Sequence, residues 1–276
     1  MSDTLLIQSV LENGSELANR WRLQGQWHDA NFLVQGLHPV ATHQGNQAIA
    51  ELCLLNGRIL LDEAMFGGQD ILSSCEEILN RAMDHTKTLE NPALVGAIWD
   101  TKGFVLHATY LASDRSKELA DELVYFERGL ALRKEADDIH GIAESLFHIG
   151  LVYGVVRRDH VRALPYFEES YALAKETGDI VMTSYAIRHI AFAHHDAGEG
   201  ESAYAAMAES LALREEAGFV PGVAMALHTM AYAESEYGDK TQAIACLERA
   251  RTIFKSLGAT KYMDMMATEI EQFQRA

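Results

Sequence analysis

Proline and cysteine are scarce in this sequence, and each scarcity disfavours some classes of protein on composition. Only 4 prolines occur in 276 residues and no run is of low complexity, so the composition predicts a folded chain. The 3 cysteines, Cys53, Cys75 and Cys246, are odd in number and widely spaced in apolar helical patterns. This pattern favours buried thiols over disulfides and predicts a cytoplasmic protein.

Positive charge is also in short supply. Lys and Arg total 23 against 40 Asp and Glu, which leaves a net charge of -17. Such a surface repels phosphate backbones and anionic lipids, so nucleic acid and membranes are not expected as partners, whereas a basic partner would be attracted. The first ten residues carry no basic region, and no stretch approaches the roughly 20 apolar residues of a membrane span.

Sequence signatures of catalysis are missing as well. The chain contains no Gly-rich phosphate loop, no nucleophile elbow and no dinucleotide fingerprint. A non-enzymatic role without a cofactor is therefore favoured.

An internal repeat dominates the C-terminal half. Three similar nine-residue segments begin at Leu130, Tyr171 and Leu211, at spacings of 41 and 40. Other positions recur in the same way, namely the small residues Gly150, Ala191 and Ala231, the alanines Ala163, Ala203 and Ala243, and the larger Phe167, Met207 and Leu247. A fixed period of this length predicts stacked supersecondary units.

Each repeat is predicted to be a helical hairpin. Apolar residues recur at helical spacing, and polar turns carrying Gly198 and Gly238 split the units into two helices. The small residues would let two helices approach closely, and the larger side chains would fill the space between hairpins.

This pattern resembles the tetratricopeptide repeat family, whose units carry a small residue and then an aromatic in the first helix, and Ala and then an aromatic in the second. Gly150, Tyr153, Ala163 and Phe167 match it. The resemblance is closest to the type of about 40 residues that is common in bacterial regulatory proteins. It implies an all-α, right-handed α-solenoid (superhelix) of about six hairpins, in a single domain over 1–276.

The repeat boundaries follow from this register. Degenerate hairpins are expected over 1–137, clear repeats over 139–258 and a capping helix over 260–275. The first hairpin begins with a helix from Thr4 to Leu23. The second helices of hairpins two and three are expected near 70–89 and 116–136, and hairpins four, five and six begin near 139, 180 and 220.

The resemblance also implies which side chains line the concave face, because the first helix of each hairpin points inward. Residues flanking the small position at helical spacing are the candidates for ligand binding. They are Arg58, Asp100, Phe104, His107, Phe147, His148, Leu151, Arg188, His189, Phe192, His195, Asp196, His228, Tyr232 and Glu236.

Two features of this set shape the expected function. Many repeats of the family place Asn where His148 and His189 stand, and those Asn side chains hold extended peptides. Their replacement by imidazoles suits a small, polar and partly aromatic ligand as well as a peptide. The aromatic candidates can equally be packing residues.

Several readings therefore remain open. The leading one is a binding or scaffold protein, monomer or homodimer, that holds a peptide segment or small ligand in its groove. The alternative is a small-molecule-binding enzyme or sensor, in which a His acts as base and Arg188 stabilises negative charge. A metal site is disfavoured because His189 and His195 lie six residues apart, which does not stack them on one helix face.

Overall fold

The computed structural model describes residues 3–68, 70–113 and 122–275, and these residues form helices and turns without a strand. The all-α prediction is confirmed. The helices are α1 (Asp3–Leu23), α2 (Trp27–Thr42), α3 (Asn46–Asp62), α4 (Leu72–Thr86), α5 (Pro92–Ala112), α6 (Glu122–Glu135), α7 (Ile139–Leu151), α8 (His160–Thr177), α9 (Ile180–Asp196), α10 (Gly200–Glu216), α11 (Val220–Tyr237), α12 (Lys240–Ser256) and α13 (Thr260–Arg275).

Successive helices pair into six hairpins, from α1 with α2 to α11 with α12, and α13 follows the last of them. The predicted helix limits lie within a few residues of these helices, and the division into degenerate hairpins and clear repeats stays a prediction. Of the second helix predicted at 116–136, residues 116–121 lie outside the described part of the chain. The chain divides into two compact units, Met1–Gly141 and Ile142–Ala276. The interpretation as a single domain stays a prediction.

The core of the N-terminal unit is built by close contacts within hairpins two and three. A Cβ added at Gly57 would come within 2.7 Å of the Leu79 side chain, and one added at Gly103 within 2.7 Å of Phe126. The Cys75 thiol is buried and donates to the carbonyl of Gly57 at 3.1 Å. Burial raises the pKa of this thiol to about 12, so it is protonated at neutral pH.

In the C-terminal unit, too, a small residue of one helix packs closely against a large side chain of the next. A Cβ at Gly150 would lie 2.6 Å from the ring of Phe167, so the small residue allows α7 and α8 to approach. Phe167 also stacks on His189 of the next hairpin at 4.8 Å between ring centroids. The large second-helix residue therefore packs both within its own hairpin and between hairpins. At the far end, α13 covers α12 and buries Met266 and Ile270.

A π-helical turn, Val152–Val156, follows α7. It explains why the repeat spacing is 41 in some positions and 40 in others. Gly150 and Ala163 are 13 residues apart, whereas the equivalent pairs Ala191 to Ala203 and Ala231 to Ala243 are 12 apart. A π turn accommodates one additional residue without ending the helix.

Helix ends in the repeats use left-handed backbone. Gly178 and Gly218 end α8 and α10 with φ of 73° and 63°, and Asp137 takes the equivalent place after α6 with φ of 52°. Glycine has no Cβ to clash in this region, which is why it is the common residue there.

A buried arginine joins successive hairpins at two of these ends. Arg133 Nη1 donates to the carbonyl of Gly141 at 2.5 Å, and Arg214 Nη1 donates to the carbonyl of Gly222 at 2.8 Å. In the intervening repeat Ala174 replaces the arginine and Met182 replaces the glycine. The arginine and the glycine thus occur together.

One stretch within the described residues, Ile139–Val156, is long and apolar enough to cross a membrane, which the sequence analysis did not anticipate. In the structure 72% of this stretch is buried. A buried core helix of a protein without a membrane span passes the same test.

Candidate functional site

A cavity of about 340 Å³ lies in the C-terminal unit between hairpins five and six. Six of the residues predicted to bind ligand line it. Its walls are Arg188, Phe192, His195, Met207, His228, Thr229, Tyr232, Ala233, Glu236 and Tyr237.

The α9 wall is formed by Arg188, Phe192 and His195, which share one helix face at spacings of four and three. Arg188 Nε donates to Thr229 Oγ1 at 3.1 Å, and its guanidinium lies over the Phe192 ring at 4.7 Å from the centroid. One edge and one face of the guanidinium are thereby fixed. These two contacts restrict the orientation of the Arg188 side chain.

The α11 wall is formed by His228, Tyr232 and Glu236, each four residues from the next. His228 Nε2 lies 2.9 Å from Glu269 Oε2 of α13, and its ring meets Tyr232 edge-on. The Tyr232 side chain is 49% exposed. Burial of its hydroxyl, with a smaller effect of the Glu269 charge, raises the Tyr232 pKa, so the phenol is neutral at physiological pH.

A third group of contacts lies where α9 and α11 end. His195 Nδ1 is 2.9 Å from the Tyr237 hydroxyl and 3.6 Å from Glu236 Oε2. All three residues are exposed. In water such an ion pair contributes little to stability.

Arg188 is the cation of the cavity, and it has no carboxylate partner. Within the described residues, no Asp or Glu oxygen lies within 4.0 Å of its guanidinium, and Thr229 supplies its one hydrogen bond. Burial, followed by the nearby charge of Arg214, lowers the pKa of Arg188 to about 9. The side chain therefore remains charged at neutral pH while lacking a counter-ion.

Arg188 is half-buried, and Arg214 of α10 is a fully buried cation in the same region. It is 1% exposed and hydrogen-bonds Ser184 Oγ through Nε at 3.3 Å. Burial lowers its pKa to about 10, and among the described residues its Nη2 has no hydrogen-bond partner. The half-buried Arg188 and the buried Arg214 are thus near each other, and among the described residues neither has a carboxylate partner.

Hairpin three has a carboxylate beside the arginine that is equivalent to Arg214. Arg133, the counterpart of Arg214, forms an ion pair with Asp100 Oδ2 at 2.5 Å. Asp100 precedes the small residue Gly103 by three positions, and Arg188 precedes Ala191 by the same interval. Hairpin five therefore carries a cation where hairpin three carries the neutralising carboxylate.

The remaining predicted residues lie outside this cavity. Asp100 and His107 are buried in the N-terminal unit, and His107 Nδ1 lies 3.2 Å from Glu122 Oε2. Phe104 is half-buried and stacks on His107, and Arg58 is half-buried on α3.

In the C-terminal unit, Phe147, His148 and Leu151 are buried, and the half-buried His189 packs among aromatic rings. Asp196 is exposed and contacts His160 at 3.3 Å. The role of all fifteen in ligand binding stays a prediction.

Sequence reasoning did not select every residue at the cavity. Met207, Thr229, Ala233 and Tyr237 are outside the predicted set of fifteen, although Thr229, Ala233 and Tyr237 share a face of α11 and follow from its helical period. Glu269 comes from α13, and no repeat spacing points to it. Only the packing of α13 brings this carboxylate to His228.

The cavity lining combines a cation, aromatic rings and titratable side chains. Neither Ser nor Cys is among its lining residues, and the Thr229 hydroxyl is already engaged by Arg188. Among the described residues, no group of three or more His, Cys, Asp or Glu is arranged to hold a metal ion. A charged guanidinium beside aromatic rings can recognise an anionic or planar group.

Comparison with known proteins agrees with the fold. Residues 182–256 match the sequence model of the tetratricopeptide repeat family. A search of curated proteins gives no sequence match.

Among solved structures, BtubC from P. vanneervenii has a TM-score of 0.54 at 15% identity, over 90% of this chain and 92% of that one. A Rap protein complexed with competence and sporulation factor has a TM-score of 0.59 at 11% identity, over 93% and 79%. At these identities the likeness concerns the fold alone. Residues 182–256 are therefore similar in sequence to tetratricopeptide repeats, and the described chain has a tetratricopeptide-repeat-like helical fold.

Proposed function

We propose that this protein is a cytoplasmic binding module that captures a peptide segment of a protein partner, with one side chain of the peptide seated in the cavity between hairpins five and six. The observation that carries the proposal is the convergence of Arg188, Phe192, His228 and Tyr232 on one cavity from two first helices. First helices are the elements that line the binding face in repeats of this kind.

Further support comes from the character of the walls. Aromatic and arginine side chains are the residues that contribute most to binding at protein interfaces. Tyr232 is 49% exposed although it is a large aromatic, so it is available to a ligand. The similar Rap structure is itself a complex, with competence and sporulation factor.

The test is selection of peptides from a random phage-displayed library on the immobilised full chain, followed by affinity measurement with the unmodified protein and with variants. Ala233→Trp would fill the cavity, and Tyr232→Ala would remove an aromatic wall. We expect each to weaken binding of the selected peptides by about tenfold or more. Phe32→Ala, at a 75% exposed aromatic outside the cavity, is the control and should bind normally.

Circular dichroism of each variant separates loss of the fold from loss of the site. Since Tyr232 is exposed, its truncation should leave the fold intact even if the larger Trp at position 233 does not. Recovery of no peptide, or equal binding by Tyr232→Ala, would rule out this proposal.

A further inference from the structure

The charge of the cavity indicates what part of a ligand it receives. Arg188 uses Nε for Thr229 and one face for Phe192. Its two Nη groups make no hydrogen bond within the described residues. A guanidinium with Nε engaged can still bind a carboxylate end-on, through one hydrogen bond from each Nη.

The repeat comparison shows that hairpin five has no carboxylate, among the described residues, where hairpin three has Asp100. In hairpin three the buried Arg133 is neutralised by Asp100 from the first helix. In hairpin five the first helix supplies Arg188 instead, and Arg214 is left buried without an acid. A carboxylate brought by a ligand would restore at this point the neutralisation that hairpin three has within the chain.

The other walls limit the size and charge of that anion. Phe192, Met207, Tyr232 and Ala233 offer apolar surface for a carbon stem. Glu236 lines the cavity and Glu269 contacts its His228, so a doubly charged group such as a phosphate would be repelled more strongly than a single carboxylate.

We infer that the cavity is a receptor for a single carboxylate on an apolar or aromatic stem, which pairs with the Nη groups of Arg188. This inference rests on the proposed function, and it names the group of the partner that the cavity recognises. The carboxylate belongs to an acidic side chain or to a chain end of that partner.

The test compares two probes that differ only in charge, 3-phenylpropionate and its neutral amide 3-phenylpropionamide, by ligand-observed NMR with the full chain. We expect the acid to bind at least about tenfold more tightly than the amide. In Arg188→Gln this preference for the acid should vanish. In Arg188→Lys it should be reduced, because a single ammonium group replaces the two Nη donors of the guanidinium. Arg251→Gln removes an exposed arginine of α12 that lies outside the cavity and should leave the preference unchanged.

Equal affinity of acid and amide for the unmodified protein would overturn the inference, and so would a preference that survives in Arg188→Gln. Absence of binding by both probes up to about 10 mM would also count against it. The proposed function is tested separately, by peptide selection and by the effect of Tyr232→Ala on peptide binding. None of the outcomes above changes the result of that test.

Two further probes distinguish the source of the carboxylate. N-acetylphenylalanine carries it at the chain end, and N-acetyl-glutamyl-phenylalaninamide carries it on a side chain. The tighter binder identifies the source. Tighter binding of phenylphosphonate than of either would overturn the choice of a carboxylate.

Discussion

A single helical position carries much of the chemical difference between the repeats. Three residues before the small residue of the first helix stand Asp100, Phe147, Arg188 and His228 in hairpins three to six. Asp100 neutralises a buried arginine and Phe147 packs in the core, whereas Arg188 and His228 line the cavity. The scaffold therefore tolerates different chemistry at this position.

Two glycine substitutions should change stability in opposite directions. Gly36 lies in the middle of α2 with no atom within 4 Å of an added Cβ, so Gly36→Ala should raise the free energy of unfolding by about 0.5–1 kcal/mol through helix propensity. Gly218 has a φ of 63°, so Gly218→Ala should lower the free energy of unfolding by about 1–2 kcal/mol. Urea denaturation followed by circular dichroism measures both, and a stabilised Gly218→Ala would contradict the backbone argument.

At the residue level, sequence alone could identify the walls of the cavity only where one helix supplies them. The spacing along α9 and α11 selects Arg188, Phe192 and Tyr232 because a helix places such residues on one face. The same reasoning also selected Phe147 and His148, which are buried. The helical period shows which residues share a face of a helix. Whether a side chain on that face is buried depends on how the neighbouring hairpin packs against it.

Two π turns depart from regular α-helix among the described residues, Glu63–Gly67 after α3 and Val152–Val156 after α7. The turn at Val152–Val156 lies within the clear repeats. It contains the additional residue that separates Gly150 from Ala163. Sequence spacing shows that an additional residue is present but not how the backbone absorbs it, because a longer turn would give the same count.

Deletion of one residue tests this explanation. Removal of Val155, a half-buried residue within the turn, should convert it to regular α-helix and leave a soluble protein of unchanged helical content. The far-ultraviolet circular dichroism spectrum and the melting curve measure the result. Removal of Leu227, a 2% exposed residue within α11, is the matched deletion and should unfold the unit. Equal damage from both deletions would contradict the role assigned to the π turn.

The helices themselves follow from sequence more readily than the site does. Repeat spacing, Gly turns and apolar period gave helix limits close to those of α8 to α13. Repeat spacing does not predict the contact of Glu269 with His228, because Glu269 lies on α13, which is outside the repeat register.

For the molecule as a whole, excess acidity dominates the electrostatics. A net charge of -17 on 276 residues opposes compaction by mutual repulsion. Among the described residues, the Arg133–Asp100 and His107–Glu122 pairs are buried and many others are exposed, so salt screens the repulsion more than it weakens specific pairs.

Salt should accordingly stabilise the protein. We expect the melting temperature to rise by several degrees, about 3–6 °C, when NaCl is raised from about 20 to 300 mM at pH 7.5. Differential scanning calorimetry measures the shift, and matched concentrations of sucrose control for general solute effects. A fall in melting temperature would mean that specific ion pairs outweigh the repulsion.

The recurring contact of a buried arginine with the glycine of the next hairpin defines what can be exchanged between repeats. Arg133 with Gly141 and Arg214 with Gly222 occur together, and where Ala174 replaces the arginine, Met182 replaces the glycine. These two positions, eight residues apart across a hairpin junction, form one structural pair. A chimera that is cut at the turn would separate its members. Segments that are exchanged between repeats should therefore begin after the glycine, inside the first helix of a hairpin. Each exchanged segment then contains a second helix together with the start of the next hairpin, so the arginine and the glycine stay together.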